Sequence, residues 1–193
     1  FVDFERQQLI PKKVSTEGPR AATGDVNGDG RMDVFLGGAK QATGAIYVQQ
    51  TTGRFEATNK DVLRGDRMSE DVDAAFFDAD GDGDLDLYVV SGGNAYSPQS
   101  PAMQDRLYLN DGTGRFEKAT QYLPRMITSG ASVSASDYDG DGDVDLFIGG
   151  RVVPWRYGIA PRSYLLQNDG TGRFSDVTET VAPELAEIGM VTD

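Results

Sequence analysis

A nine-residue acidic pattern recurs three times in the chain, and it constrains the fold more than any other feature. The clearest copy is DADGDGDLD (residues 78–86), where five aspartates occupy alternate positions. The other copies are DVNGDGRMD (residues 25–33) and DYDGDGDVD (residues 137–145). Such a concentration of negative charge is unfavourable unless a cation offsets it. Oxygen ligands at positions 1, 3 and 5, a glycine at position 6 and a backbone carbonyl at position 7 are typical of a calcium-binding loop.

The residues that follow each loop indicate strands. Position 9 is Asp in every copy, which adds a fourth side-chain ligand. Position 12, where an EF-hand loop needs a bidentate Glu, is instead Leu36, Val89 or Ile148. Each loop continues into a short β-branched and aromatic segment, which favours a buried strand over a helix. The sequence therefore predicts calcium loops between strands. A solvated acidic turn without an ion is the alternative interpretation.

Composition excludes several classes of function. The 193 residues suffice for one domain with a sizeable core, and their net charge of −13 argues against a nucleic-acid partner. Most of the acidic excess consists of candidate ligands in the three loops. The chain has no His and no Cys, so it lacks the commonest general base, the usual zinc ligand and any disulfide. No apolar run approaches the roughly 20 residues that span a bilayer.

Similar segments recur around the loops and divide the chain into repeats. Each unit is expected to open with an outer strand at a Phe, and then to contain a small-residue strand, an acidic loop, an apolar strand and one further strand. The small-residue strands are predicted at 21–24, 74–77 and 132–136, and the further strands at 46–49, 107–110 and 164–167. Residues 1–193 are predicted to form a single domain. Its units begin at Phe1, Phe55, Phe116 and Phe174, and they span residues 1–54, 55–115, 116–173 and, as a truncated fourth unit, 174–193.

Four short strands per unit predict an all-β fold. Repeats of this length and content are typical of β-propellers built from four-stranded antiparallel blades. A propeller usually holds 4–8 blades. Three repeats therefore predict part of a larger ring, completed by further blades of a longer protein or by a second copy of the chain.

The three loops, each followed by a hydrophobic strand and usually by Gly-Gly, resemble the FG-GAP/VCBS repeats of secreted bacterial proteins. They also resemble the calcium-bearing blades of integrin α-subunit propellers. The resemblance implies three Ca²⁺ ions, each held by four side chains and one backbone carbonyl. The implied ligands are Asp25, Asn27, Asp29, Asp33 and the Arg31 carbonyl; Asp78, Asp80, Asp82, Asp86 and the Asp84 carbonyl; and Asp137, Asp139, Asp141, Asp145 and the Asp143 carbonyl. Because Asn27 is neutral, the first site is expected to be the weakest.

The connections after the apolar strands differ between units, and variable connections are where binding specificity is expected. Four side chains in them are candidates for stacking on a sugar or contacting a protein: Tyr96, Trp155, Arg156 and Tyr157. The alternative is that Trp155 and Tyr157 pack between blades.

These observations predict a calcium-stabilised binding or adhesion module for carbohydrate or protein. The expected location is extracellular, at the cell surface or in the periplasm. No pair of free carboxylates follows a recognisable catalytic pattern, so no catalytic residue is predicted. The alternatives are a catalytic or non-catalytic propeller portion of a carbohydrate-active lyase or hydrolase, and a purely structural scaffold.

Overall fold

The chain folds into three four-stranded antiparallel sheets, each made from consecutive strands. The computed structural model describes residues 3–6, 8, 13–14 and 18–192. The prediction of an all-β fold of four-stranded antiparallel sheets is confirmed. The strands that begin at Phe55, Phe116 and Phe174 each complete the sheet of the preceding acidic loop. The first sheet contains β1 (Ala21–Gly24), β2 (Asp33–Leu36), β3 (Ala45–Gln49) and β4 (Phe55–Thr58); the second contains β5 (Asp71–Phe77), β6 (Asp86–Ser91), β7 (Arg106–Asn110) and β8 (Phe116–Lys118); the third contains β9 (Ser129–Ser136), β10 (Asp145–Val152), β11 (Tyr164–Asn168) and β12 (Phe174–Asp176).

Helical structure is limited to short segments. The α-helices are α1 (Asp3–Arg6), α2 (Lys60–Arg64) and α3 (Thr178–Val181), and 3-10 turns occupy Pro101–Met103, Thr120–Tyr122 and Pro183–Glu187. The outer strand predicted to open at Phe1 falls partly outside the described residues, and the described residues that follow form α1. None of the described helices has the length and apolarity needed to cross a lipid bilayer.

The strand order within each sheet determines which connections lie together. Each strand pairs with the next strand in the chain. The acidic loops therefore lie at the same end of the sheets as the tight hairpins between third and fourth strands. The connections between second and third strands lie at the opposite end. Each acidic loop is closed by a pair of facing residues, Gly24 with Asp33, Phe77 with Asp86 and Ser136 with Asp145.

The core lies between neighbouring sheets, and β6 contributes to both of its halves. Leu87 and Val89 pack in the cluster shared with the first sheet. Tyr88 and Val90 point to the other face and pack in the cluster shared with the third sheet. Because successive strand residues face opposite sides, the continuous apolar run of β6 is explained by burial on both faces.

The first strands of the three sheets lie side by side. β1 contacts β5, and β5 contacts β9. A parallel bridge between Gly92 and Gly130 adds a backbone contact between the second and third sheets. β5 and β9 begin earlier than the predicted residues 74 and 132, and both extensions pair with their neighbours across register shifts. A bulge adds an unpaired residue to one strand. The alternation of inward and outward side chains is interrupted there, so the strand's periodicity in the sequence ends at the bulge.

Candidate metal centre

Each acidic loop joins the first and second strands of a sheet. We call residues 25–33 loop 1, residues 78–86 loop 2 and residues 137–145 loop 3. The two glycines of loop 2 have φ angles of 77° and 92°. These left-handed conformations are unfavourable for other residues, so Gly81 and Gly83 allow the chain to turn on both sides of Asp82. The corresponding glycines of loops 1 and 3 also have positive φ.

The ninth residue of each loop is a buried aspartate that begins the second strand. These side chains are at most 1% exposed. In each, Oδ2 accepts the backbone N–H of the second loop residue, and Oδ1 accepts a backbone N–H from the end of the third strand. The donors to Asp33 are Val26 and Gln49 (3.1 and 2.7 Å), those to Asp86 are Ala79 and Asn110 (2.8 and 2.7 Å), and those to Asp145 are Tyr138 and Asn168 (3.2 and 2.8 Å).

Loops 2 and 3 bring carboxylate oxygens together. One oxygen from each of Asp78, Asp80 and Asp86 lies within 4.8 Å of the others. The equivalent aspartates of loop 3 form the same group: Asp137, Asp139 and Asp145. In each group, the structure thus unites three of the residues that the sequence assigned to a calcium ion.

The fifth residues of loops 2 and 3, Asp82 and Asp141, are not among the gathered carboxylates, and each accepts a hydrogen bond from the loop backbone. Asp82 Oδ1 accepts the N–H of Asp84 at 2.9 Å, and Asp141 Oδ1 accepts the N–H of Asp143 at 2.9 Å. These turns fix the backbone next to the gathered oxygens. The assignment of Asp82, Asp141 and the carbonyls of Asp84 and Asp143 as ligands remains a prediction.

The electrostatics of loop 2 fit a bound cation. Burial raises the pKa of Asp86 to about 7, and the carboxylates of Asp80 and Asp82 add to this increase. Burial and the Asp82 carboxylate also raise the pKa of Asp80. Asp80 Oδ1 is buried and has no hydrogen-bond partner among the residues that the structure describes. A buried polar atom without a partner is costly, so a cation at this position would satisfy the oxygen and offset the repulsion.

Loop 1 differs because it contains its own positive charge. The guanidinium of Arg31 forms an ion pair with the Asp29 carboxylate, and Arg31 Nε donates to the Gln49 carbonyl at 3.0 Å. Asp25 accepts the N–H groups of Asp29 and Gly30 at 3.1 and 2.7 Å. Among the described residues, the gathered carboxylates occur in loops 2 and 3 and not in loop 1. In loop 1, Asn27 stands where loops 2 and 3 have the second gathered carboxylate, so the same three carboxylates cannot meet there. The predicted site of loop 1, with Asp25, Asn27, Asp29, Arg31 and Asp33, remains a prediction.

Trp155, one of the candidate ligand-binding residues, lies at the opposite end of the sheets. Its φ of 65° is left-handed, which is unusual for a bulky residue. Its backbone N–H donates to Asn94 Oδ1 at 3.3 Å, and its indole N–H donates to the Asn94 carbonyl at 3.2 Å. The side chain remains 38% exposed, and Tyr157 is 57% exposed. Trp155 thus contacts the second unit while part of its side chain stays exposed. Its anchor, Asn94, was not identified from the sequence, and the packing of these two aromatics between blades stays a prediction.

Arg156 and Tyr96 occupy the same end of the molecule. The Tyr96 ring is half-buried, and Lys40 Nζ lies 4.3 Å from its centroid. An open cavity of about 350 Å³ is lined by Ser97, Pro98, Gln99 and Arg156. The variable connections of the second and third units thus meet there, although Tyr96 is not among the residues that line the cavity.

Two asparagines have a role that the sequence did not indicate. Asn110 and Asn168 stand before hairpin turns, and their Asp-Gly neighbours predict only a turn. In the structure they are 6% and 4% exposed, and each contacts two acidic loops.

The family assignment follows from the sequence of the loops and strands. The model of the FG-GAP-like repeat family matches residues 25–89 and 78–148. The chain belongs to this family. Each match begins at the first aspartate of a loop, and together they span all three loops, so the FG-GAP-like signal coincides with the candidate metal centre. The predicted FG-GAP/VCBS resemblance is confirmed, whereas nothing in the match is specific for integrins. No curated protein matches the chain.

Proposed function

We propose that this FG-GAP-like chain is a calcium-binding β-propeller module. Three observations support the propeller: consecutive strands form each sheet, the first strands lie side by side, and the second sheet is buried on both faces. In this proposal the three sheets are successive blades. The ring is completed by further blades or by a second copy.

The gathered carboxylates of loops 2 and 3 carry the proposal. Calcium takes 6–8 oxygen ligands in flexible geometry, which suits acidic loops closed by glycines. Asp78, Asp80 and Asp86 would hold an ion in loop 2, with Asp82 and the Asp84 carbonyl as further ligands. The ion would supply positive charge that stabilises the turn between two strands. Because extracellular modules typically bind calcium with Kd values of about 10⁻⁴–10⁻³ M, we extend the proposal to an extracellular, cell-surface or periplasmic location.

Thermal unfolding in calcium and in a chelator tests the stabilising role. A site filled at about 100 times its Kd contributes roughly 2.7 kcal/mol. Two such sites would raise the Tm of a chain this long by roughly 10–20 °C. Asp80→Asn should remove about half of the increase. Asp61→Asn makes the same charge change at an exposed position of α2 and should leave the increase intact. An identical Tm in calcium and chelator would contradict the proposal.

We further propose that the opposite end of the sheets binds a carbohydrate or protein ligand, without catalysis. The anchored Trp155, the exposed Tyr157 and the cavity beside Arg156 support this role, because aromatic rings with a few polar groups are typical of ligand sites. A glycan array with wild type and Tyr157→Ala tests the carbohydrate case. Tyr138→Ala is the control, since Tyr138 is 38% exposed but lies in loop 3. Degradation of a polysaccharide by the chain would instead favour an enzymatic function. Failure to bind any ligand would favour a purely structural scaffold.

A further inference from the structure

Asn110 and Asn168 each join two neighbouring acidic loops. Both stand at the end of the third strand of their sheet and are almost completely buried. Asn110 Nδ2 donates to the Val26 carbonyl of loop 1 at 2.7 Å and to the Leu85 carbonyl of loop 2 at 3.1 Å. Asn168 Nδ2 donates to the Ala79 carbonyl of loop 2 at 2.7 Å and to the Val144 carbonyl of loop 3 at 3.2 Å. The same geometry thus occurs at both junctions.

These bonds complete a continuous hydrogen-bond path between loops 2 and 3. Asp86 of loop 2 accepts the N–H of Ala79, and the carbonyl of Ala79 accepts from Asn168 Nδ2. The backbone N–H of Asn168 then donates to Asp145, the ninth residue of loop 3. The path therefore links two candidate calcium ligands, Asp86 and Asp145, through one asparagine.

The path gives the two loops a shared conformational requirement. An amide nitrogen has two protons, and in Asn168 each is used by a carbonyl of a different loop. If repulsion between carboxylates opens loop 2, the Ala79 carbonyl moves and one buried amide proton loses its acceptor. Asn168, whose N–H positions Asp145, is then less firmly held. A cation that closes loop 2 would have the reverse effect.

We infer that cation binding to adjacent loops is positively cooperative, with Asn110 and Asn168 as the positioning residues that couple them. The inference rests on the proposed calcium binding. The sign of the coupling distinguishes this inference from simple electrostatics. Direct repulsion between two cations would weaken binding at the second site, whereas coupling through the asparagine strengthens it. Couplings between sites are typically 5–150-fold in affinity.

Calcium titration by calorimetry tests the coupling, with loop 2 disabled by Asp80→Glu, which keeps the negative charge but displaces the ligand oxygens. We expect this substitution to weaken calcium binding at loop 3 by about five-fold or more, although it lies in another loop. In an Asn168→Ala background, disabling loop 2 should change loop 3 affinity by less than about two-fold. Asn110→Ala is the matched control: it removes an equivalent buried amide but leaves the path between loops 2 and 3, so the five-fold effect should persist. Asn168→Ser replaces Asn168→Ala if the latter does not fold.

The possible results separate this inference from the proposed function. Absence of calcium binding by the wild-type chain would overturn the proposed function and the coupling with it. Normal binding with independent loops, or coupling that survives in Asn168→Ala, would overturn only the coupling. Loss of coupling in Asn110→Ala as well would show a general loosening of the fold, which also contradicts the assigned path.

Discussion

The buried ion pair between Asp71 and Arg106 allows a quantitative test of how neighbouring sheets are held together. Arg106 Nη2 lies 2.7 Å from Asp71 Oδ1, and the two side chains are 5% and 6% exposed. Asp71 Oδ2 accepts the N–H of Gly38, just beyond β2 of the first sheet, at 2.6 Å. The carboxylate therefore bonds to both the first and the second sheet, at the end opposite the acidic loops.

Asp71→Asn should destabilise the chain strongly although it preserves the shape of the side chain. Asn retains an oxygen for the Gly38 N–H, but Arg106 loses its nearest counter-charge while it stays buried. Removing one partner of a buried pair costs about 3–5 kcal/mol. For a chain of this length the corresponding loss is roughly 6–20 °C in Tm. Urea unfolding at fixed calcium concentration measures the free energy directly.

A double-mutant cycle identifies the cause of the loss. Arg106→Met should also destabilise, whereas Asp71→Asn combined with Arg106→Met should recover much of the stability, because no uncompensated charge remains. Arg64→Met is the control: Arg64 pairs with Asp61 at 3.6 Å with both side chains largely exposed, so it should cost less than about 1 kcal/mol. If Asp71→Asn costs no more than Arg64→Met, or if the losses of the two single variants simply add, an uncompensated charge on Arg106 is not the cause of the loss.

Loop 1 and the buried carboxyl of Asp105 provide two further expected outcomes. Arg31→Asp removes the guanidinium from Asp29 and should strengthen calcium binding at loop 1; an unchanged calorimetric isotherm would contradict this. Burial raises the pKa of Asp105 from 3.8 to about 7, despite hydrogen bonds from Ser91 and Tyr88. Because the folded pKa is the higher one, stability in chelator should fall as pH rises from about 4 to 7, by up to about 1.4 kcal/mol per pH unit from this group. Asp105→Asn should flatten that slope, and equal slopes would be evidence against the buried, protonated carboxyl.

The strands and loops were predictable because their signals are local. β1 has the predicted bounds, and β3, β7 and β11 extend the predicted segments by a single residue. In loops 2 and 3, alternation of aspartate with glycine determines both the turn and the direction of the side chains. The spacing of the aspartates was therefore enough to predict that their carboxylates come together.

The remaining features depend on contacts between distant residues. From the sequence, Arg31 was a candidate ligand only through its carbonyl, because the direction of its side chain toward Asp29 depends on the folded loop. Asn168 and Ala79 are 89 residues apart, and no pattern in either segment indicates their contact. Asn94 follows two glycines and has no signal of its own, yet it holds Trp155 in place.

The aspartate that begins each second strand serves the backbone as well as any bound ion. Asp33 makes both of its backbone hydrogen bonds in loop 1, where Arg31 and Asn27 reduce the negative charge. Asp86 and Asp145 make the same pair of bonds, so this aspartate ties the loop to the backbone of the sheet in every unit. For anyone assembling longer arrays from such units, the ninth loop position is therefore one to keep as aspartate.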